Sequence, residues 1–328
     1  MNELAVRWVA EKSWTYRTTF PSPEKTDDRA RTDLVFKGLD TFARVSLNGQ
    51  KILEADNMFL EYRVEVGQLL KPSDGAHTND LQIVFDSALV RGRELVKQHE
   101  HEHDFIAHQT EQSRLPVRKA QCHWGWDWGP ILVTAGPWRP ILLETYVRRI
   151  DDVWFQAVVS PDLATVSGKL LATADVGNAT AVKFNLSLEG TLTFESQVEV
   201  NGQGLASTDF HIERPALWNP YGHGQQSRYK LTATLLEGDA ELTSTSKLVG
   251  FRRCQLIQEK DQHGKSFYFR INNVDVFCGG SCWIPADSFI PRVGRDGYRK
   301  WMQLMIEGNQ NMTRWVNRKI SYRSFPLA

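Results

Sequence analysis

The chain has 328 residues, and its 39 Lys+Arg and 39 Asp+Glu give a formal net charge of zero. That length accommodates two or three domains at roughly 150 residues each, and the charge balance excludes a strongly basic nucleic-acid binder. No apolar run approaches the length of a membrane-spanning helix, while 11 Trp and 16 Phe are more aromatic residues than an ordinary core of this size calls for.

The N-terminus, Met1 to Trp8, has no basic start leading into an apolar run and does not read as a secretory leader. Cys122, Cys254, Cys278 and Cys282 are too few and too scattered for a disulfide framework, so a reducing, intracellular or cytoplasmic setting is expected. Asn178-Ala179-Thr180 and Asn185-Leu186-Ser187 argue the other way, and are discounted because such short motifs recur by chance.

The first half reads as short strands. Leu34 to Phe36 is followed by Phe42 to Leu47, then Asn48-Gly49, a pair suited to the positive φ angles of a tight hairpin, and a return through Lys51 to Leu53. Further strands are expected at Phe59–Val66, Asp80–Phe85, Ile131–Thr134 and Ile141–Tyr146, with one helical stretch over Ala88–His99. Near Arg148 the pattern changes to long alternating runs, Val182–Leu188 and Tyr229–Leu235, which suit an immunoglobulin-like sandwich. Leu217 to Gly222 reads as a turn with an aromatic plug. Beyond Phe267 the strand Val274–Phe277, a Gly/Pro-rich loop, a helical run with Tyr298, Trp301, Met302 and Met305, and a strand Asn311–Val316 form one strand–loop–helix–strand unit. A complete (β/α)8 barrel takes about 250 residues, far more than remain.

The densest chemical signal is His123-Trp124-Gly125-Trp126-Asp127-Trp128-Gly129-Pro130. Indole faces stack on the C–H faces of sugar rings and a carboxylate accepts hydrogen bonds from their hydroxyls. A sugar-contacting loop and a tryptophan-anchored packing turn both fit. His99, His101 and His103, with His108, would share one face of a strand, but they lack the helical His pair with an intervening Glu of a zinc protease and read as a solvated loop. Cys278-Gly279-Gly280-Ser281-Cys282 has no second Cys pair for a structural zinc, and is expected to be a strand-end loop with two buried thiols. Arg299, Lys300 and Glu307 read as a solvated helix face.

Several segments together resemble the fungal β-mannosidases of glycoside hydrolase family 2, the type without a signal peptide. They are Arg7 to Trp14, Leu39-Asp40-Thr41-Phe42-Ala43 through Asn48-Gly49, Asp56 to Phe59, Arg118-Lys119-Ala120-Gln121 running into the Trp-rich octet, Ala135 to Pro140, Trp218 to Gly222, and Cys282 to Phe289. The resemblance implies a multidomain, mostly β chain. A jelly-roll sugar-binding β-sandwich would span 1–148, short of its first strands. An immunoglobulin-like β-sandwich would span 149–250, and the first strands of an incomplete (β/α)8 barrel would span 251–328. It further implies exo-hydrolysis of terminal non-reducing β-D-mannose by a retaining, two-carboxylate mechanism without a cofactor. Carried over residue by residue, Trp126 and Asp127 contact the terminal mannose. The partner it implies is an oligosaccharide or glycan ending in β-mannose, with no nucleic acid and no membrane; oligomeric state is left open.

The chain departs from the pattern after Arg314, where Trp315-Val316-Asn317-Arg318 replaces the family's Arg-Val-Trp and glycine run. A retained intron or frameshift near codon 315 would account for this. The family's two catalytic carboxylates belong to later barrel strands and match no position here, so no catalytic residue is assigned. The alternatives are a β-mannoside-binding fragment without turnover or a mispredicted gene product, and residues after about 272 are expected to be poorly ordered in isolation.

Overall fold

The computed structural model describes residues 2–24, 27–99, 111–126, 129–176 and 180–315. The chain forms two compact units, one built on Met1–Tyr146 with Cys282–Lys300, the other on Val147–Ser281 with Trp301–Arg314.

The first unit is a β-sandwich. One antiparallel sheet takes the order Trp14–Phe20, Asn79–Phe85, Ala43–Leu47, Gln50–Ala55; a second takes the order Ile141–Tyr146, Arg31–Phe36, Tyr62–Glu65. Strand Asn79–Phe85 alternates strictly between buried and half-buried positions, the two-residue period of a sheet with one face inward. Leu34 and Phe36 from one sheet meet Val45, Leu47, Leu81, Ile83 and Phe85 from the other in a single apolar core. Asn48 and Gly49, at φ 52° and 85°, turn Ala43–Leu47 into Gln50–Ala55 as expected. The expected strand Phe59–Val66 shortens to Tyr62–Glu65, and Ile141–Tyr146 is found as read. The expected strand Ile131–Thr134 is displaced: the strand is Gly129–Ile131, and Thr134, beyond it, donates its hydroxyl to Asp40 instead of joining a ladder.

The helix Ala88–Gln98 forms where the spacing predicts it. Ser87 caps it, its Oγ accepting from Val90 N at 3.0 Å and donating to Ala10 O at 2.5 Å. Gly92 is required there, since a Cβ would lie 2.4 Å from Ser113 O. Ile290, from the segment after Trp283, is buried against Met58, Ala120 and Cys122. That segment therefore packs with the first unit.

The second unit is an immunoglobulin-like sandwich. Its three-stranded sheet runs Ile150–Val159, Thr165–Ala174, Leu205–Glu213, and its four-stranded sheet runs Thr191–Glu199, Thr180–Leu188, Tyr229–Glu237, Ala240–Val249. Only two of these seven strands stand out as alternating runs in the sequence; the edge strands carry charges that mask the period. Phe210, Tyr229 and Phe251 centre the core, with ring centroids of Phe251 at 5.7 Å from Phe210 and 4.9 Å from Tyr229. The Tyr229 hydroxyl accepts from Ala216 N at 2.9 Å. A small antiparallel sheet follows, in which Tyr268–Ile271 lies between Cys254–Ile257 and Val274–Val276. Strands Gly280–Trp283 and Met312–Trp315 are neighbours in a two-stranded sheet, and the helix Arg295–Glu307 lies between them in sequence.

The expectation of two buried thiols at Cys278 and Cys282 is corrected. Both are exposed, as is Cys254; Cys282 takes an exposed position within its strand, while the buried position of that strand goes to Trp283. Arg299, Lys300 and Glu307 are placed as expected of a solvated helix face, on a helix with no fully buried residue. Among the described residues no helix is long and apolar enough to cross a membrane.

Candidate functional site

Two short strands that begin within the Trp-rich octet pair with each other in the first unit. Strand Trp124–Trp126 pairs antiparallel with Gly129–Ile131, Trp124 opposite Ile131 and Trp126 opposite Gly129. Gly125 adopts φ 81°, and a Cβ there would come within 2.7 Å of the Ile131 side chain, so only glycine serves. Leu132 N donates to His123 O at 3.0 Å and extends the ladder by one step.

The three tryptophans do not share one role. Trp124 is fully buried with Ala88, Leu89, Val117 and Val133, which is the packing-turn reading. Trp126 belongs to the hairpin strand by its backbone. The Trp126 side chain and the whole of Asp127 and Trp128 lie outside the described residues, so the sugar contact of Trp126 and Asp127 stays an expectation. The histidines from His101 to His108 also lie outside them. Among the described residues no group of three His, Cys, Asp or Glu is placed to hold a metal ion.

Beside the paired strands is a buried polar cluster to which the sequence reading gave no role. Lys119 Nζ, its side chain wholly buried, donates to Asp40 Oδ2, to Thr134 O at 2.8 Å and to Thr134 Oγ1 at 3.1 Å. All three ammonium donors are used. Asp40 also accepts from Thr134 Oγ1 at 2.7 Å and from Thr41 Oγ1 at 2.5 Å. His123 Nδ1 lies 3.3 Å from Thr134 Oγ1.

The electrostatics follow from burial. Desolvation alone would raise the Asp40 carboxyl, but the Lys119 charge and the hydrogen bonds outweigh it and hold the group below its ordinary value. Desolvation pushes the Lys119 ammonium down, with Asp40 opposing. Burial and then the Lys119 charge push His123 down to about 3, so its imidazole is neutral at physiological pH. Burial raises the Cys122 thiol, which keeps it protonated and a poor nucleophile. The signal in the sequence is that Asp40, Lys119 and His123 all stand in segments that carry the family resemblance, Leu39–Ala43 and Arg118–Gln121 running into the octet.

Asp40, His123 and Thr134 also line a cleft of about 270 Å³, walled by Tyr16, Trp138 and Phe289. The Trp138 indole donates to Met58 O at 2.6 Å, which fixes its plane. Asp40 is the one carboxylate among the described lining residues, and three donors already engage it.

Residues 1–139 match the glycosyl hydrolase 2 galactose-binding domain-like family, and residues 148–252 match glycosyl hydrolases family 2. The chain belongs to glycoside hydrolase family 2. It is 49% identical to β-mannosidase B of Thermothelomyces thermophilus over 95% of its length, and 46% identical to β-mannosidase B of Emericella nidulans over 96%. It covers 36% and 37% of those proteins, so the chain spans about a third of the length of the curated relatives it matches. Among solved structures, a β-D-mannosidase from Dictyoglomus thermophilum superposes with a TM-score of 0.84 at 31% identity, over 95% of this chain and 38% of that one. A β-glucuronidase from Bifidobacterium dentium, at 19% identity and a TM-score of 0.64 over 91% of this chain and 48% of that one, shares the fold alone.

Proposed function

We propose that this family 2 chain supplies the sugar-recognising N-terminal part of an exo-β-mannosidase, one that removes terminal β-linked mannose from oligosaccharides or glycans. The observation that carries the reading is the 49% identity to a β-mannosidase over 95% of the chain. In this reading the hairpin presents Trp126 to a sugar face and Asp127 to sugar hydroxyls. The residues from about 251 onward begin a catalytic barrel. The hydrolysis proceeds with retention through two carboxylates, neither of which matches a position of this chain. The ligand is a glycan and not a nucleic acid, in keeping with a net charge of zero. Four free cysteines favour a reducing, intracellular compartment.

A second reading, β-mannoside binding without turnover, draws on the state of the cleft. Its one described carboxylate, Asp40, is buried in an ion pair; it has no proton to give, and its oxygens are taken up by three donors. One experiment separates the two. Purified 328-residue chain, and beside it a version extended with the genomic continuation, are incubated with 4-nitrophenyl β-mannoside, and methyl β-mannoside binding is followed by tryptophan fluorescence. Turnover by the extended version selects the enzyme reading, and saturable binding by both without release of nitrophenol selects the binding reading. Absence of turnover and of binding sinks the β-mannoside assignment for this chain.

A further inference from the structure

Lys119, His123 and Thr134 occupy three points along one stretch of chain: before the Trp hairpin, at its entry and just past its exit. Asp40 comes from a separate segment, paired through Leu39–Asp40 with Gly136–Pro137. A single ammonium thus reaches the exit leg through both the carbonyl and the hydroxyl of Thr134, while its own backbone precedes the entry leg. The Thr134 hydroxyl touches all three other members of the cluster. Gly125 fits the ladder's close approach and the buried Trp124 seats it against Ala88, Leu89, Val117 and Val133; the cluster adds a polar tie that joins the segments on either side of the ladder to Asp40.

We infer that Asp40, Lys119, Thr134 and His123 are positioning residues: they clamp both legs of the Trp124–Ile131 hairpin at one height above the sandwich, and so set the affinity of the sugar contact made by Trp126. The second half of this inference rests on the sugar reading proposed above. The arrangement suits the task. An ion pair with every donor used tolerates no second geometry, because any shift of the hairpin leaves a buried charge short of a partner. Holding a recognition group by side chains whose own rotamers are locked is what makes a contact reproducible.

The Thr134 hydroxyl is the point to cut, because Thr134→Val keeps the shape of the side chain and leaves the Lys119–Asp40 pair and the Thr134 carbonyl in place. Two quantities are read: backbone amide exchange by mass spectrometry over residues 120–135, and the affinity of the 328-residue chain for methyl β-mannoside. Thr134→Val is expected to speed hairpin exchange and weaken binding, each by about tenfold, and Thr134→Ser is expected to restore both. Leu47→Ala, in the sandwich core away from the hairpin, serves as the stability control; it is expected to lower the unfolding midpoint with affinity unchanged. Hairpin exchange that stays at the wild-type rate in Thr134→Val overturns the clamp. Faster exchange with unchanged affinity overturns its link to sugar recognition. Equal loss of affinity in Leu47→Ala also overturns that link, since general destabilisation would then suffice. Where the wild-type chain binds no β-mannoside, the sugar reading fails, and the exchange data alone decide the clamp.

Discussion

The two units solve the same architectural problem with different interiors. The second unit buries no charged side chain among its described residues; its buried polar positions are Thr180, Thr234 and Asn272, around an aromatic centre of Phe210, Tyr229 and Phe251. The jelly-roll unit buries Asp33, Asp40, Arg114, Lys119 and His123. Apolar packing is forgiving of small shifts, whereas a buried ion pair is stable only with its partners in place. The contrast therefore separates a unit whose interior serves packing from one whose interior also holds groups in fixed positions. Asp33 fits the same pattern, receiving Arg63 at 3.0 Å and the Tyr146 hydroxyl at 2.6 Å across the second sheet.

The contrast can be broken most directly at Lys119. Lys119→Met strands the Asp40 carboxylate in the interior and is expected to cost about 3–5 kcal/mol of stability in urea unfolding. Combining it with Asp40→Asn should recover most of that loss. A single variant that unfolds at the wild-type midpoint would show that the buried charges do not govern this unit.

Acid comes next. The folded His123 titrates at about 3 against 6.5 for the free side chain, so as pH falls below 6.5 the unfolded chain takes up a proton that the folded chain refuses. Stability is thereby lost as pH drops, on the order of 3 kcal/mol by about pH 4. Asp40, held below its ordinary value, adds a further loss once pH falls through the carboxylate range. Urea midpoints taken at about pH 7 and about pH 4.5 for wild type and His123→Gln test this, and the variant should lose much of the slope between them. An unchanged slope would place the acid sensitivity elsewhere.

A smaller effect is expected in the immunoglobulin-like unit. Tyr229→Phe leaves Ala216 N without its acceptor and should cost about 1–2 kcal/mol, with little dependence on pH. A pronounced pH dependence there would erase the distinction between the units. The smallest effect belongs to Arg17→Ala, which removes a bidentate but exposed pair with Asp80 and should leave the melting temperature unchanged within error.

Much of the fold was legible because sandwiches announce themselves through local signals. The Asn48-Gly49 turn and the alternation of Val182–Leu188 each follow from short-range geometry. The edge strand Thr191–Glu199 was not legible. Glu195, Gln197 and Glu199 face solvent, Leu192 is exposed as well, and the inward side carries Ser196 between Phe194 and Val198, which thins the apolar half of the period. The clamp was hidden for a different reason: Asp40 and Lys119 are 79 positions apart, and their pairing is a product of tertiary folding that no local period encodes. The octet drew attention to three tryptophans alike, yet burial singles out Trp124 as a core residue. Cys278 and Cys282 misled in the opposite direction, since cysteine is among the most commonly buried residues and here the strand offers its inward position to Trp283.

Trypsin and amine-directed acylating reagents need an accessible side chain, and Lys119 has no surface to offer while the first unit is folded. The neighbouring Arg118 and the exposed Lys12, Lys51 and Lys97 stay open to their reagents throughout. The ratio of acylated Lys119 to acylated Lys51, read from a single digest, is therefore an internal clock for the opening of the first unit, usable in a crude mixture where no optical signal could be assigned to it.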